Sequence, residues 1–157
     1  MYNTVHTLDA KIPAPVTAIV LGGLMKWYVH VNDIVIDPTQ FRMEVGVGMC
    51  QLSAVIALIA FACMWRARTT INPLDPGKAS SLVTNGIYRL SRNPLYLSLL
   101  LLLVAYAIRL DSIAVWVGPC AFVAYVTRFQ IVPEERVLTE KFGDAYTAYK
   151  DRTRRWI

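Results

Sequence analysis

Charge is scarce in this sequence. Asp, Glu, Lys and Arg make up 17% of its 157 residues, against roughly 25% in an average soluble domain. Cysteine is scarce too. Cys50, Cys63 and Cys120 are the three present, all inside apolar blocks, without the spacing of a zinc site and too few for a disulfide framework. They read as small apolar core residues, and no metal site is expected. A glycine-rich dinucleotide fingerprint following a strand is absent, which disfavours a Rossmann site. Met1–Lys11 is polar, mixed in charge and without an apolar h-region, which argues against a cleavable signal peptide. The net charge is +5, but the cations gather between apolar blocks and at the C-terminus. That distribution argues against nucleic acid and for orientation in a membrane.

What the sequence has in abundance is apolar residues, 55% of the total, in long blocks. The pattern predicts an all-α integral membrane protein, one domain over residues 1–157, with about four transmembrane helices and a C-terminal interfacial amphipathic helix. The spans are expected at about 12–36, 43–65, 94–109 and 112–132, and the interfacial helix at about 134–150. Lys26 and His30 fall inside the first block, four residues apart and so on one helix face. That face is expected to meet other protein or to let Lys26 snorkel to a boundary. Gly46-Val47-Gly48 opens the second block and suits close helix packing. Arg109-Leu110-Asp111 is so short a break that the third and fourth blocks must form a tight hairpin. Pro133 is expected to end the last span. Beyond it, Val137, Leu138, Phe142, Ala145 and Tyr149 can form one apolar stripe, with Gly143 a weak point.

The positive charges set a topology. Arg66, Arg68, Lys78, Arg89 and Arg92 lie between blocks two and three, and Arg152, Arg154 and Arg155 lie at the end, whereas Asp33, Asp37 and Glu44 dominate the first loop. Both termini are then cytoplasmic, and the expected location is a bacterial inner membrane. The stretch Leu82 to Tyr96 and the tail from Glu134 onward consequently share one face. Asn85-Gly86 signals a turn, and Asn93-Pro94 signals a helix start, with Asn as N-cap and Pro in the first turn. A helix N-terminus attracts carboxylates and phosphates. Glu134-Glu135 directly after a span attracts an amine or another cation. A ligand carrying a carboxylate, an ammonium and an aromatic ring suits the set. S-adenosylmethionine has all three and a sulfonium, although amino acids and nucleotides share parts of the fit.

Leu82-Val83-Thr84-Asn85-Gly86-Ile87-Tyr88 followed by Ser91-Arg92-Asn93-Pro94-Leu95-Tyr96 resembles the signature of the isoprenylcysteine carboxyl methyltransferase and phospholipid methyltransferase superfamily. Glu134-Glu135-x-x-Leu138, Phe142-Gly143-x-x-Tyr146-x-x-Tyr149 and Arg155-Trp156 match its C-terminal signature. The resemblance covers Ser80 to Ile157. It implies an integral membrane methyltransferase using S-adenosylmethionine. By position, Ser80, Ser81, Leu82, Val83, Tyr88, Asn93, Pro94, Leu95, Tyr96, Glu134 and Glu135 would bind the cofactor. Glu134, Tyr149 and Arg155 would serve catalysis, Arg155 near the substrate. The superfamily's carboxyl methyltransferases carry Arg-His-Pro where this chain has Arg92-Asn93-Pro94. Asn donates and accepts hydrogen bonds but carries no charge, so this stretch is expected to bind the methyl donor rather than transfer protons.

The expected reaction is methyl transfer to a lipophilic or membrane-associated acceptor, with membrane lipids as surroundings and no nucleic acid partner. The acceptor would enter between spans and the cofactor from the cytoplasm. An in-line displacement at a methyl sulfonium needs mainly alignment and dehydration. A thiol or amine acceptor must also lose a proton, which Glu134, Tyr149 or solvent could take. The alternatives are a membrane lipid or sterol reductase-like enzyme using NADPH, and a non-enzymatic membrane subunit whose basic loops bind anionic lipid or a partner.

Overall fold

The computed structural model describes residues 12–36, 39–67 and 81–157. Its regular structure is helical throughout, with no strand among the described residues. Helix α1 (Ala14–Val31) carries Pro15 in its first turn, where the fixed φ of proline is suited. It ends on Asn32, whose amide donates to the Tyr28 carbonyl at 2.8 Å. Helix α2 (Gln40–Arg66) is capped by Thr39, whose hydroxyl accepts from the Arg42 N–H at 3.4 Å. Its 27 residues reach about 40 Å at 1.5 Å per residue, enough for a hydrocarbon core of about 30 Å. A 3₁₀ turn at Gly86–Arg89 leads to α3 (Pro94–Leu110). A second 3₁₀ turn at Ile113–Trp116 starts a continuous rod made of α4 (Val117–Val126), a π turn at Thr127–Ile131 and α5 (Val132–Phe142). After Gly143, α6 (Asp144–Arg152) closes the order.

Three of these helical segments, Ala14–Val31, Gln40–Arg66 and Ile113–Phe142, are long and apolar enough to cross a membrane, while α3 is apolar but only 17 residues long. The shorter helix is the central one. It packs against α2, α1 and α4 and buries Leu97, Leu103, Ala107 and Leu110. Phe122, Val126 and Ile131 of the long rod are fully buried and meet Met25 and Val29 of α1 in the same core. A Cβ on Gly118 would collide with the Met25 side chain, so the glycine is what lets α1 and α4 approach. By contrast Ile19, Val20, Leu24, Val55 and Leu58 on α1 and α2 are exposed. Apolar helices with bare apolar faces are the pattern that lipid covers.

Several expectations need adjusting. Pro133 does not end the last helix, which runs on to Phe142. Proline inside a helix removes a hydrogen bond and collides with the preceding turn. Here the backbone widens into the π turn just before it, and the Val132 N–H reaches back to the Thr127 carbonyl. The segment expected as one helix over 134–150 is divided at Gly143, which has φ +52°. Within α6 the inward residues are Tyr146 and Tyr149, while Ala145 is exposed. Cys50 and Cys120 are exposed and Cys63 half-buried, so the cysteines are not packed core. Lys26 and His30 share a face as expected, but both are exposed near the α1–α2 connection, beside Asp33 and Leu110. At that same end Arg42 of α2 forms an ion pair with Asp111, which turns the hairpin in the left-handed region at φ +49°.

Candidate functional site

The opposite end of the bundle gathers the polar residues. Gly86 makes the first turn possible. Its φ is +58°, and a Cβ there would lie 2.6 Å from the Cys63 sulfur of α2. Only glycine meets both demands without strain. The turn is closed by the Tyr88 N–H donating to the Asn85 carbonyl at 3.1 Å. The Tyr149 hydroxyl of α6 then donates to the Tyr88 carbonyl at 2.6 Å, tying two segments 61 residues apart.

Asn93 occupies the N-cap position of α3, but its side chain makes no cap. Its amide donates instead to the Arg155 carbonyl at 2.8 Å. The Arg92 N–H donates to the Arg154 carbonyl at 3.0 Å, and the Ser91 hydroxyl accepts from the Asn93 N–H at 3.1 Å. The C-terminal residues are thus laced to the start of α3. A histidine-like proton carrier is absent from this position, and the residue that stands there works as a brace.

Two glutamates at the start of α5 have different surroundings. The Tyr96 hydroxyl donates to Glu134 Oε2 at 3.1 Å. Glu135 accepts a fork from Arg155, Nε to Oε1 at 3.0 Å and Nη2 to Oε2 at 2.7 Å. Arg92 Nη2 lies 3.0 Å from Glu135 Oε1 as well. Hydrogen bonding to Glu135 raises the Arg155 pKa, so its guanidinium is permanently charged. Burial pushes the phenols of Tyr88, Tyr146 and Tyr149 well above their ordinary value. At neutral pH they are hydrogen-bond donors and not bases.

Between these segments and α2 lies a cavity of about 510 Å³, within the range of roughly 300–1,000 Å³ typical of small-molecule sites. Of the residues singled out in the sequence, Ser81, Leu82, Val83, Tyr88, Asn93, Pro94, Leu95, Tyr96, Glu134, Glu135 and Tyr149 line it. Ser80 lies outside the described residues. Arg155 stands behind Glu135 and not on the wall. The other flank, unforeseen in the sequence, is α2, with Ser53, Ala57, Phe61 and Met64 turned to the cavity. Their spacing, with Cys50 and Ala54, follows one helix face of mostly small residues. That regularity was the available signal, hidden because every face of this span is apolar. The Ser53 hydroxyl donates to the Ser98 carbonyl at 2.8 Å and fixes α2 against α3 below the cavity. Leu138, Tyr146 and Arg92 line it too, with Pro15 of α1 and Ser98, Leu99 and Leu102 of α3. Tyr146 stands in the C-terminal signature but has no site role in the sequence reading, because the expected stripe runs through Ala145, an assignment that the break at Gly143 alters.

Among the described residues, an all-helical bundle with lipid-type faces and a polar-ended cavity defines a class: a membrane-type helix bundle with a cavity at one end of its helices. Comparison with known sequences narrows it. The model of the phospholipid methyltransferase family matches residues 41–145, well over half of the chain, and the protein belongs to that family. It is thereby a membrane protein of methyltransferase type. It is also similar to an uncharacterized protein of Haemophilus influenzae, 44% identical over 63 residues, which is 40% of this chain and 100% of the relative. No solved structure matches the chain.

Proposed function

We propose that this protein is an S-adenosylmethionine-dependent methyltransferase acting on a lipophilic acceptor, with the cofactor in the cavity between the Ser81–Tyr96 segment and the Glu134–Tyr149 segment. The observation that carries the reading is the two-sided character of that cavity. One side holds Glu134, Tyr96, Asn93 and Arg92, and the other is the mostly apolar face of α2, a helix that also exposes Val47, Leu52, Val55, Leu58 and Ile59. A ligand with charges of both signs suits the first side, and a lipid chain suits the second. The donor set therefore fits a zwitterionic, aromatic cofactor. Family membership supports the same chemistry. The charge pattern of the loops supports a cytoplasmic site.

When bound, S-adenosylmethionine supplies a methyl group on a positive sulfonium. The chain's own contribution is positioning and exclusion of water. Tyr88, Tyr96 and Tyr149 present a wall of neutral phenols, with the Tyr88 and Tyr149 segments cross-bonded to each other. Glu134 is the acid on that wall without a paired cation among the described residues. It can hold an ammonium, or accept the proton that an amine or thiol acceptor sheds. Glu135 is neutralised by its arginines and serves to order the site.

Calorimetric titration of the purified protein with S-adenosylmethionine tests the reading. Folded protein that binds none of it sinks the proposal. Mass spectrometry of lipid extracts incubated with labelled methyl donor, with and without the protein, identifies the acceptor.

A further inference from the structure

Arg92 has a position that its ion pair does not explain. It lies between the 3₁₀ turn and α3, lines the cavity and has a side chain only 11% exposed. Its partner Glu135 is already held in a fork by Arg155, the geometry in which guanidinium and carboxylate match best. Two guanidinium charges therefore share one carboxylate. Arg155, the fork partner, has its side chain 37% exposed and stands off the wall. Arg92 is the member of this pair at the cavity. Its Nε is buried and has no hydrogen-bond partner among the described residues. A buried donor left unmade is costly, more so when it belongs to a charged group. The other groups lining this part of the cavity are Tyr146 and Tyr149, neutral phenols, and Glu134, whose carboxylate receives the Tyr96 hydroxyl.

We propose that Arg92 is the oxyanion anchor of the cavity, its guanidinium binding a carboxylate or phosphate of the occupant while Glu135 and Arg155 hold it in place. Two occupants carry such a group. One is the methyl donor, through its amino-acid carboxylate, and this source rests on the function proposed above. The other is a phosphate-bearing lipid acceptor. Either would satisfy the unpaired donor.

The experiment compares wild type with Arg92→Gln, Arg92→Lys and Glu135→Gln in detergent, with melting temperature as the check on folding. The probes are S-adenosylmethionine, decarboxylated S-adenosylmethionine, which differs from it by the carboxylate alone, and a short-chain phosphatidic acid beside its diacylglycerol. If the anchor takes the cofactor carboxylate, Arg92→Gln weakens S-adenosylmethionine about ten-fold or more and leaves the decarboxylated form within about two-fold. If it takes a lipid phosphate, the same loss appears for phosphatidic acid and not for diacylglycerol. Arg92→Lys keeps part of the discrimination, and it carries the comparison if Arg92→Gln fails to fold. Glu135→Gln leaves the charge on Arg92 and an amide oxygen to hold it, so it keeps part of the preference for the acidic probe. An equal loss for probes with and without the acidic group overturns the proposal and makes Arg92 a brace, as does loss of discrimination in Glu135→Gln matching that in Arg92→Gln. No loss at all overturns it too. Wild-type protein that binds neither form of the cofactor refutes the methyl-donor reading alone, and the phosphatidic acid comparison then decides the anchor.

Discussion

Gly86→Ala is the substitution whose cost can be worked most directly from the structure. The residue has φ +58°, and a non-glycine residue in the left-handed region loses roughly 1–2 kcal/mol. The new methyl would also lie 2.6 Å from the Cys63 sulfur, closer than real Cβ contacts. Cys63 sits within α2, so the sulfur can retreat only by moving its helix or changing rotamer. Overpacking of this kind costs about 1–3 kcal/mol. Together the two effects destabilise the turn by about 2–5 kcal/mol, enough to detach the Gly86–Arg89 segment from α2. The Tyr88 carbonyl would then no longer be held for Tyr149. Thermal melting in detergent and affinity for S-adenosylmethionine should both fall. The double variant Gly86→Ala/Cys63→Ala separates the causes: it removes the collision and leaves the backbone penalty, so it should recover about half of the loss. A Gly86→Ala protein as stable as wild type would refute the steric reasoning. Failure of Cys63→Ala to recover anything would show that the sulfur is not the obstacle.

Other parts of the site make separate predictions. Asn93→Ala should cost about 1 kcal/mol in melting stability through the lost bond to the Arg155 carbonyl and should speed proteolysis of the C-terminus. Asn93→Asp should be worse than alanine, because a carboxylate would face that carbonyl oxygen; if Asn93 acted as a helix cap, aspartate would be as good as asparagine, and a melting curve decides between them. Tyr96→Phe removes the hydroxyl from Glu134, a charge-assisted bond worth about 1.5–3 kcal/mol. It should lower kcat/KM about ten-fold or more with labelled methyl donor, and an unchanged value would leave Glu134 without a part in the reaction. Arg42 and Asp111 are each 37% exposed, so a double-mutant cycle should find a coupling of at most about 1 kcal/mol that salt weakens further.

The sequence by itself determined a good deal. Apolar blocks of span length required helices with lipid-facing surfaces, because a backbone in hydrocarbon must bond within its own segment. Asn93-Pro94 and the Asn85-Gly86 turn had local chemistry strong enough to fix where α3 and its preceding turn begin. The placement of the positive charges implied that the two polar segments share one end of the bundle, and the Asn93–Arg155 and Tyr96–Glu134 bonds join them there.

The tertiary structure decided what no local pattern encodes. Pro133 reads as a helix stop, and the backbone passes it through a π turn whose Ile131 is buried in the core. Asn93 reads as a cap, yet its side chain goes to a carbonyl 62 residues away, a partner that exists only once the C-terminus docks. Glu134 and Glu135 are identical neighbours in sequence and differ because one meets a tyrosine and the other two arginines. Charge compensation is a property of positions in space. Arg92 stands in the sequence as a signature residue with no role of its own, and becomes a buried guanidinium with an open donor on a cavity wall only when Arg155 takes the carboxylate they share.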